Sequence, residues 1–253
     1  MGCTSKRVQK CRFVCEKNEC AYQPFPAKGQ LKRNLKSYRE LQMALPGQDG
    51  CVYCYVIETI KNDGGRFRQT GSGPNFQGGR ITLCTCKHRM RTFLSREQWK
   101  GTWVAGFTGI GPRAGDGRNH LVYLMKVEFA FDSHYALWHS SGISNETKHA
   151  KAANRNKFGD VFQPGKGCIT DKPDTYLQPV HEHVHWPKNW RKDIHYARGC
   201  SNREAALLVG DVAFSFLWDK PLIALKGRRL PRSQKKYERL TDFLNDLITN
   251  KQV

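Results

Sequence analysis

The stretch His120-Leu-Val-Tyr-Leu-Met-Lys-Val-Glu-Phe-Ala-Phe131 indicates the fold class of this chain most directly. It is rich in the β-branched and aromatic residues that strands favour, with a single lysine and a single glutamate. Further runs of the same kind, separated by Gly, Asn, Asp and Pro, cover residues 51–60, 81–86, 103–110 and 206–218. Together these runs predict an α+β fold, a β-rich mixed domain built as a small twisted barrel or half-barrel with peripheral helices.

Short helices are expected around this sheet. Leucines at helical spacing predict one over residues 31–45, stopped by Pro46-Gly47. Asp132 is a candidate N-cap for a second helix over residues 132–138. Apolar residues at helical spacing over residues 237–248 predict an amphipathic C-terminal helix.

Composition divides the chain into three segments. Residues 1–48 form a basic N-terminal extension, residues 49–225 the core domain, and residues 226–253 a basic segment followed by the C-terminal helix. Within the core, residues 142–175 form a long polar excursion, which in compact folds is usually functional or disordered. The Gly210-Asp211 step predicts a turn between strands.

The chain carries a large excess of positive charge. It contains 42 Lys and Arg against 22 Asp and Glu, a formal net charge of +20, although 39% of its residues are apolar. A folded domain with this charge repels itself, and the commonest partner that offsets such charge is a polyanion. Nucleic acid is therefore the expected partner, DNA more than RNA, and the sequence leaves protein partners open.

No apolar run approaches the roughly 20 residues needed to span a bilayer, and no secretory signal follows the N-terminal methionine. We therefore expect no membrane partner and a cytoplasmic protein, or a nuclear one in a eukaryotic host, where residues 226–236 resemble an import signal. The 10 cysteines are expected to stay reduced.

No cofactor is firmly expected, but a divalent metal is an open alternative. In an extended segment His181, His183 and His185 share one face, with Asp193 nearby in sequence. A His-rich surface loop is the other interpretation. Cys51 and Cys54 form a CxxC within a predicted strand, where alternation places the thiols on opposite faces, unlike a zinc knuckle.

A glycine-rich loop and a basic strand end lie next to each other in residues 73–91. The glycines allow a close backbone approach to a ligand, the following Lys and Arg suit phosphate, and an Asn and a Phe suit a base. A simple turn with a solvated basic strand end is the alternative. The predicted nucleic-acid contacts are Asn75, Phe76, Arg80, Lys87, Arg89, Arg91, Lys126, Arg155 and Lys157.

Three residues are candidates for acid–base chemistry: Asp160, His183 and Asp193. Asp160 follows a glycine inside a basic stretch, although it could instead pair with Arg155 or Lys157 or cap a turn. His183 and Asp193 could form a general base and the group that orients it. The chain has no GxSxG, no Walker loop and no zinc-deaminase signature.

Several strings resemble the family called nucleotide modification associated domain 2. They are Pro74-Asn-Phe-Gln-Gly-Gly-Arg-Ile-Thr-Leu-Cys-Thr-Cys-Lys87, Trp99-Lys-Gly-Thr-Trp-Val-Ala-Gly-Phe107, Asn119-His-Leu-Val-Tyr-Leu-Met-Lys-Val127, Phe158-Gly-Asp-Val-Phe162, the His/Asp region over residues 183–195 and Leu207-Leu-Val-Gly-Asp-Val-Ala-Phe-Ser-Phe-Leu-Trp218. The resemblance spans roughly residues 52–225 and implies an association, by genomic context, with systems that make or handle modified nucleobases, including phage and defence systems.

The resemblance implies no particular reaction. The family pattern has Gly-Asp-Trp where this chain has Gly101-Thr102-Trp103. If that aspartate is functional, Thr102 cannot replace it as an acid, base or metal ligand, which counts against a family-wide enzymatic role here. The strands between Trp99 and Val127 also resemble the barrels of the PUA, ASCH and EVE group of nucleic-acid binders.

The sequence therefore predicts a nucleic-acid-binding protein that recognises or helps to produce a modified nucleobase. The alternative is an enzyme that acts on a nucleobase or nucleotide with Asp/His acid–base or metal chemistry. A third alternative is an interaction module whose basic termini bind RNA or acidic proteins.

Overall fold

A computed structural model describes residues 37–71, 73–110, 117–180, 190–198, 203–227, 230–231 and 234–249. Most of the N-terminal extension, and with it the first part of the helix predicted over residues 31–45, lies outside these ranges. The described part is a strand-rich α+β domain whose main sheet is curled into a half-barrel, as predicted. The strands are β1 Val52–Asp63, β2 Arg66–Gln69, β3 Thr82–Leu83, β4 Trp103–Gly109, β5 Leu121–Phe131, β6 Ala197–Arg198, β7 Arg203–Glu204, β8 Leu207–Leu217, β9 Ile223–Leu225, β10 Lys235–Tyr237 and β11 Leu247–Thr249.

The helices of the described residues are short and lie between the strands. They are α1 Tyr38–Ala44, α2 His88–Arg91, α3 Arg96–Trp99, α4 His134–His139, α5 Asn145–Lys151, α6 Arg191–Ile194 and α7 Leu240–Asn245, with a 3₁₀ turn at Pro173–Thr175. None of them is long and apolar enough to cross a bilayer. Ser133, rather than the predicted Asp132, caps α4, because its hydroxyl accepts from the Ala136 N–H.

The main sheet has the strand order β10-β1-β4-β5-β8-β3, and β2 pairs with β1 outside this path. β1 and β4 run parallel, with Val52 opposite Trp103, and the other neighbours are antiparallel. Trp99, Trp103 and Trp218 are fully buried in the core against it. The crossover from β1 to β4 contains β3 and α2, and it carries the polar residues described below.

The strand predicted over residues 81–86 is shorter than expected. Only Thr82 and Leu83 pair with β8, because the Cys84 N–H donates to the Asp160 carboxylate at 3.1 Å instead of to a strand neighbour. The chain leaves the sheet at this point and turns directly into α2.

The prediction of one long C-terminal helix over residues 237–248 is wrong. Tyr237 pairs with Val52 at the edge of β1, and Leu247 pairs with Leu225 in β9, so that only α7 between them is helical. The backbone groups on either side of α7 pair with the free edges of β1 and β9. An isolated helix of this length would be only marginally stable.

The Gly210-Asp211 step is not a turn between two strands. It lies inside β8, where the pairing with β5 shifts between Met125 and Val127. The Asp211 carboxylate accepts from the N–H groups of Ala213 and Phe214, which stabilises a bulge in one continuous strand.

Candidate functional site

The connection from β3 to α2 has an unusual backbone conformation. Lys87, at the N-cap of α2, has φ 55° and ψ 41°, which is the left-handed region, and among the described residues other than glycine no second one has a positive φ. The left-handed region costs a residue with a side chain about 1–2 kcal/mol. Cys86, Lys87 and His88 are all partly exposed, so this strained loop reaches the surface.

Asp160 holds the start of the loop by hydrogen bonds from the protein interior. Its side chain is fully buried, and its carboxylate accepts from the Thr82 hydroxyl at 2.8 Å and from the Cys84 N–H at 3.1 Å. Burial raises the pKa of Asp160, although the Lys151 ammonium and these two hydrogen bonds act in the opposite direction. The carboxylate predicted to be catalytic therefore stabilises the conformation of residues 82–84 from the interior.

Lys151, at the end of α5, fixes the preceding segment. Its buried ammonium donates to the Arg80 carbonyl at 2.6 Å and to the side-chain oxygen of Asn75 at 3.1 Å. Burial lowers the Lys151 pKa to about 8, and Asp160 opposes that shift. The Asn75 amide donates in turn to the Phe158 carbonyl at 2.8 Å, so residues 75–84 and 151–160 form one hydrogen-bonded unit.

Arg91 fixes the end of the loop. It is fully buried, and its guanidinium donates to the carbonyls of Cys86, Ala205 and Ala206 at 2.8, 3.0 and 2.7 Å. Burial lowers its pKa, while Asp193 and Asp160 are close enough to oppose that effect. Two buried cations, Arg91 and Lys151, and two buried carboxylates, Asp160 and Asp193, thus interact in the interior beside this loop.

A histidine–carboxylate pair lies at the rim of this unit. His88 Nε2 is 3.1 Å from a carboxylate oxygen of Asp193, and its ring stacks on Tyr196 with 4.5 Å between centroids. The His88 side chain is 11% exposed and that of Asp193 is fully buried. The sequence prediction had paired Asp193 with His183, which lies outside the described residues together with His181 and His185.

The two buried tyrosines opposite the loop are joined. The hydroxyls of Tyr55 and Tyr123 are 2.9 Å apart, and burial raises both pKa values. The Lys87 ammonium lies 5.4 Å from the centre of the Tyr55 ring, and burial lowers its pKa. Burial and the Asp193 charge raise the pKa of the Cys86 thiol to about 12, so this thiol is neutral at pH 7.

Four of the predicted nucleic-acid contacts are engaged inside the protein, which differs from the prediction that they face a ligand. Asn75 and Arg91 are fully buried in the hydrogen bonds described above, and Phe76 is buried with its ring 5.7 Å from that of Tyr123. Arg80 is ion-paired with Glu128 and also donates to the Gly210 carbonyl. Alternating polar residues beside glycines look alike in sequence whether they serve a ligand or the fold.

The other predicted contacts reach the surface. Arg89 and Arg155 are exposed, and Lys87, Lys126 and Lys157 are partly exposed. Lys126 donates to the Gln48 side chain at 2.8 Å and covers the Trp103 ring. Arg155 and Lys157 belong to the segment that Asp160 and Asn75 join to the loop.

The remaining sequence candidates concern metals. Among the described residues, no three His, Cys, Asp or Glu side chains are arranged to hold a metal ion. Cys54 and Cys84 are buried, and Cys51 and Cys86 are partly exposed. The predicted His181–His185 ligands lie outside the described residues, so that alternative stays a prediction.

His88 and Lys151 are not singled out by the sequence. The carboxylate partner of His88 is 105 positions away in sequence, a pairing that no local motif signals. No family model, no curated protein and no solved structure matches this chain. The site described here therefore has to be interpreted from its own chemistry.

Proposed function

We propose that this protein binds nucleic acid, DNA in preference to RNA, and recognises or helps to produce a modified nucleobase. The observation that carries the proposal is the net charge of +20 on a folded domain. Ion pairs within the protein cannot offset a net charge of this size. The phosphate backbone of a nucleic acid is the partner that such a charge suits.

The exposed cations beside the strained loop support the same proposal. Arg89 follows the loop directly, and Arg155 and Lys157 lie on the segment hydrogen-bonded to it. Within the described part of the chain, neither Arg89 nor Arg155 has an ion-pair partner. By contrast, Arg96 is paired with Glu97 and Asp132.

The test is a salt titration of binding. Fluorescence anisotropy with labelled single-stranded DNA, duplex DNA and RNA of the same sequence measures affinity from low to physiological salt. The logarithm of affinity should fall linearly with the logarithm of salt, and the triple variant Arg89→Ala, Arg155→Ala, Lys157→Ala should reduce that slope by roughly 3 on duplex DNA.

Arg96→Ala is the matched control, because it removes an exposed arginine whose charge is already offset by two carboxylates. It should leave the slope nearly unchanged. Affinity that does not depend on salt, or equal slopes for the triple variant and the control, would contradict the proposal.

An enzyme that acts on a nucleobase is the second candidate. The specific observation in its favour is the buried Asp193 carboxylate against the partly exposed His88.

A further inference from the structure

The last residues of β1 and the whole of β2 form a hairpin, residues 60–69, with two different faces. Side chains alternate across this ribbon, so that one face points to the core and the other to solvent. Ile60, Phe67 and Gln69 are buried on the inner face. The outer face carries four charged residues in two directly opposite pairs, Lys61 with Arg68 and Asp63 with Arg66.

Hydrogen bonds fix β2 of the hairpin to the rest of the domain. The Phe67 N–H donates to the Asp219 carbonyl at 2.8 Å. The Gln69 side-chain amide donates to the carbonyls of Gly71 and Pro74 at 3.0 and 3.2 Å. The outer face is therefore presented in one orientation, and a ligand that binds there has little hairpin motion to restrict.

The turn at the tip of the hairpin is narrow and stands away from the domain. Gly64 and Gly65 have φ 64° and 83°, and a two-residue type I′ turn requires positive φ at both positions. The Gly65 N–H donates to the Asn62 side-chain oxygen at 3.2 Å, which stabilises the turn. Apart from the adjoining residues, no described atom lies within 4 Å of the position that a Cβ would take at either glycine. The backbone of the turn can therefore approach a ligand closely.

The outer face is cationic, and the carboxylate of Asp63 on it is already ion-paired. Asp63 lies directly opposite Arg66, but its carboxylate is 3.0 Å from Arg68 Nε. Among the described residues, neither Lys61 nor Arg66 has an ion-pair partner, and both side chains are exposed. Lys61 lies directly opposite Arg68, and like charges in such positions destabilise a strand pair. An anion bound to this face would offset that repulsion.

The dimensions of the hairpin suit the major groove of B-DNA. Its four residue pairs extend over about 10 Å, and the groove is about 8.5 Å deep and about 12 Å wide, enough to admit a two-stranded ribbon. Lys61 and Arg66 are diagonal neighbours across the strands, a relation that places residues about 7–8 Å apart. Because both side chains are long, their charges can reach phosphates on the two sides of the groove. The major groove of an A-form RNA helix is too narrow for such contacts.

We infer that the outer face of this hairpin is a contact surface for duplex DNA, in which Lys61 and Arg66 bind phosphates and the glycine turn enters the major groove. The inference rests on the proposed function and adds to it the form of the nucleic acid. It also gives a physical reason for a preference for DNA, because the groove that admits the hairpin is open in B-DNA and closed in A-form RNA.

The test measures how binding to a labelled DNA duplex depends on salt, by fluorescence anisotropy. The double variant Lys61→Gln, Arg66→Gln should reduce the slope of log affinity against log salt by about 2, since each lost phosphate contact reduces it by about 1. The matched control Arg96→Gln, Arg239→Gln changes the net charge equally, but at exposed arginines that are ion-paired with carboxylates. It should leave the slope nearly unchanged.

A charge-conserving variant separates loss of contact from loss of structure. Lys61→Arg, Arg66→Lys alters both side chains but keeps both charges, so it should keep the wild-type slope. Duplex RNA of the same sequence is the second comparison. On this RNA the Lys61→Gln, Arg66→Gln variant should differ little from the control, because the turn cannot enter the A-form major groove.

The proposed function and the hairpin surface fail in different ways. Wild-type protein that binds neither DNA nor RNA at low salt refutes both. Wild-type binding to duplex DNA, with equal slopes for the Lys61→Gln, Arg66→Gln variant and the control, refutes the hairpin surface alone and leaves the proposed function in place. An equal loss of slope on duplex DNA and duplex RNA would show that the turn does not enter the major groove, and so would also overturn the inference.

Discussion

Lowering the pH is expected to destabilise the folded protein through His134, well before its carboxylates are all protonated. Burial lowers the pKa of this histidine from 6.5 to about 3, and the Asp193 carbonyl opposes the shift only in part. Both ring nitrogens are used by backbone groups, Nδ1 as an acceptor from Phe162. A proton on Nδ1 would face that N–H, so the folded state excludes the charged ring.

The magnitude follows from the two pKa values. Below pH 6.5 the unfolded chain binds a proton at His134 that the folded protein does not bind until about pH 3. Stability is therefore lost as the pH falls through this interval, by about 2 kcal/mol at pH 5 and about 3 kcal/mol at pH 4, relative to pH 7.5. Asp160 acts in the opposite direction, because its raised pKa favours proton uptake by the folded state in acid.

The assay is urea unfolding followed by tryptophan fluorescence at pH values from 7.5 to 4, for the wild type and His134→Asn. The asparagine keeps an acceptor near the Phe162 N–H but does not titrate, so it should be less stable at pH 7.5 and lose less stability in acid. The difference between the two pH profiles cancels the contribution of Asp160. Parallel profiles for the two proteins would refute the assignment of a neutral, buried His134.

Three further predictions concern the loop and the sheet. Asp160→Ala should cost about 2–3 kcal/mol in urea unfolding, because it removes the acceptor of the buried Cys84 N–H and Thr82 hydroxyl; a cost below about 1 kcal/mol would argue against this role. Lys87→Gly should be more stable than Lys87→Ala by about 1 kcal/mol in thermal unfolding, since only glycine adopts φ 55° without strain; equal melting temperatures would contradict that geometry. Gly106→Ala should lower the melting temperature by an amount that corresponds to about 2 kcal/mol, because its Cβ would lie 2.3 Å from a Tyr123 ring carbon; a neutral effect would show that β4 and β5 can separate there.

The strands of the half-barrel could be predicted because their signal is local. Runs such as residues 121–131 bury most of their side chains and leave none fully exposed, and continuous β-branched and aromatic sequence reports that burial directly. The C-terminal segment could not be predicted in the same way. Its helical spacing is real within α7, but the edges of β1 and β9 compete for the residues on either side.

The candidate site was predictable only in its location. Glycines and basic residues pointed to residues 73–91, and the strained loop does lie there. Which of these side chains face inwards depends on Asp160, Lys151 and Asp193, which arrive from distant parts of the chain. Asn75 and Arg91 have the residue types of nucleic-acid contacts, but the buried backbone groups around them claim their hydrogen bonds first.

The charges of this protein divide into two sets with different consequences. The buried charges around the loop of residues 84–88 are balanced, since Lys151 and Arg91 offset Asp160 and Asp193. Balance is required there because an unpaired charge in the interior costs several kcal/mol. The net charge of +20 is far larger than this balanced set, and charge without a partner is stable only where water can solvate it.

This division makes the two candidate functions separable by mutation. Removing exposed charge at Arg89 or Arg155 changes the attraction of a polyanion and its salt dependence, and leaves the interior intact. Removing charge at Arg91 or Lys151 also lowers the net charge by one, but in addition it releases the backbone groups that these side chains hold in the interior. A protein that only binds nucleic acid should respond to both sets in proportion to the charge removed, once folded, whereas an enzyme that acts on a base should lose more activity with the second set.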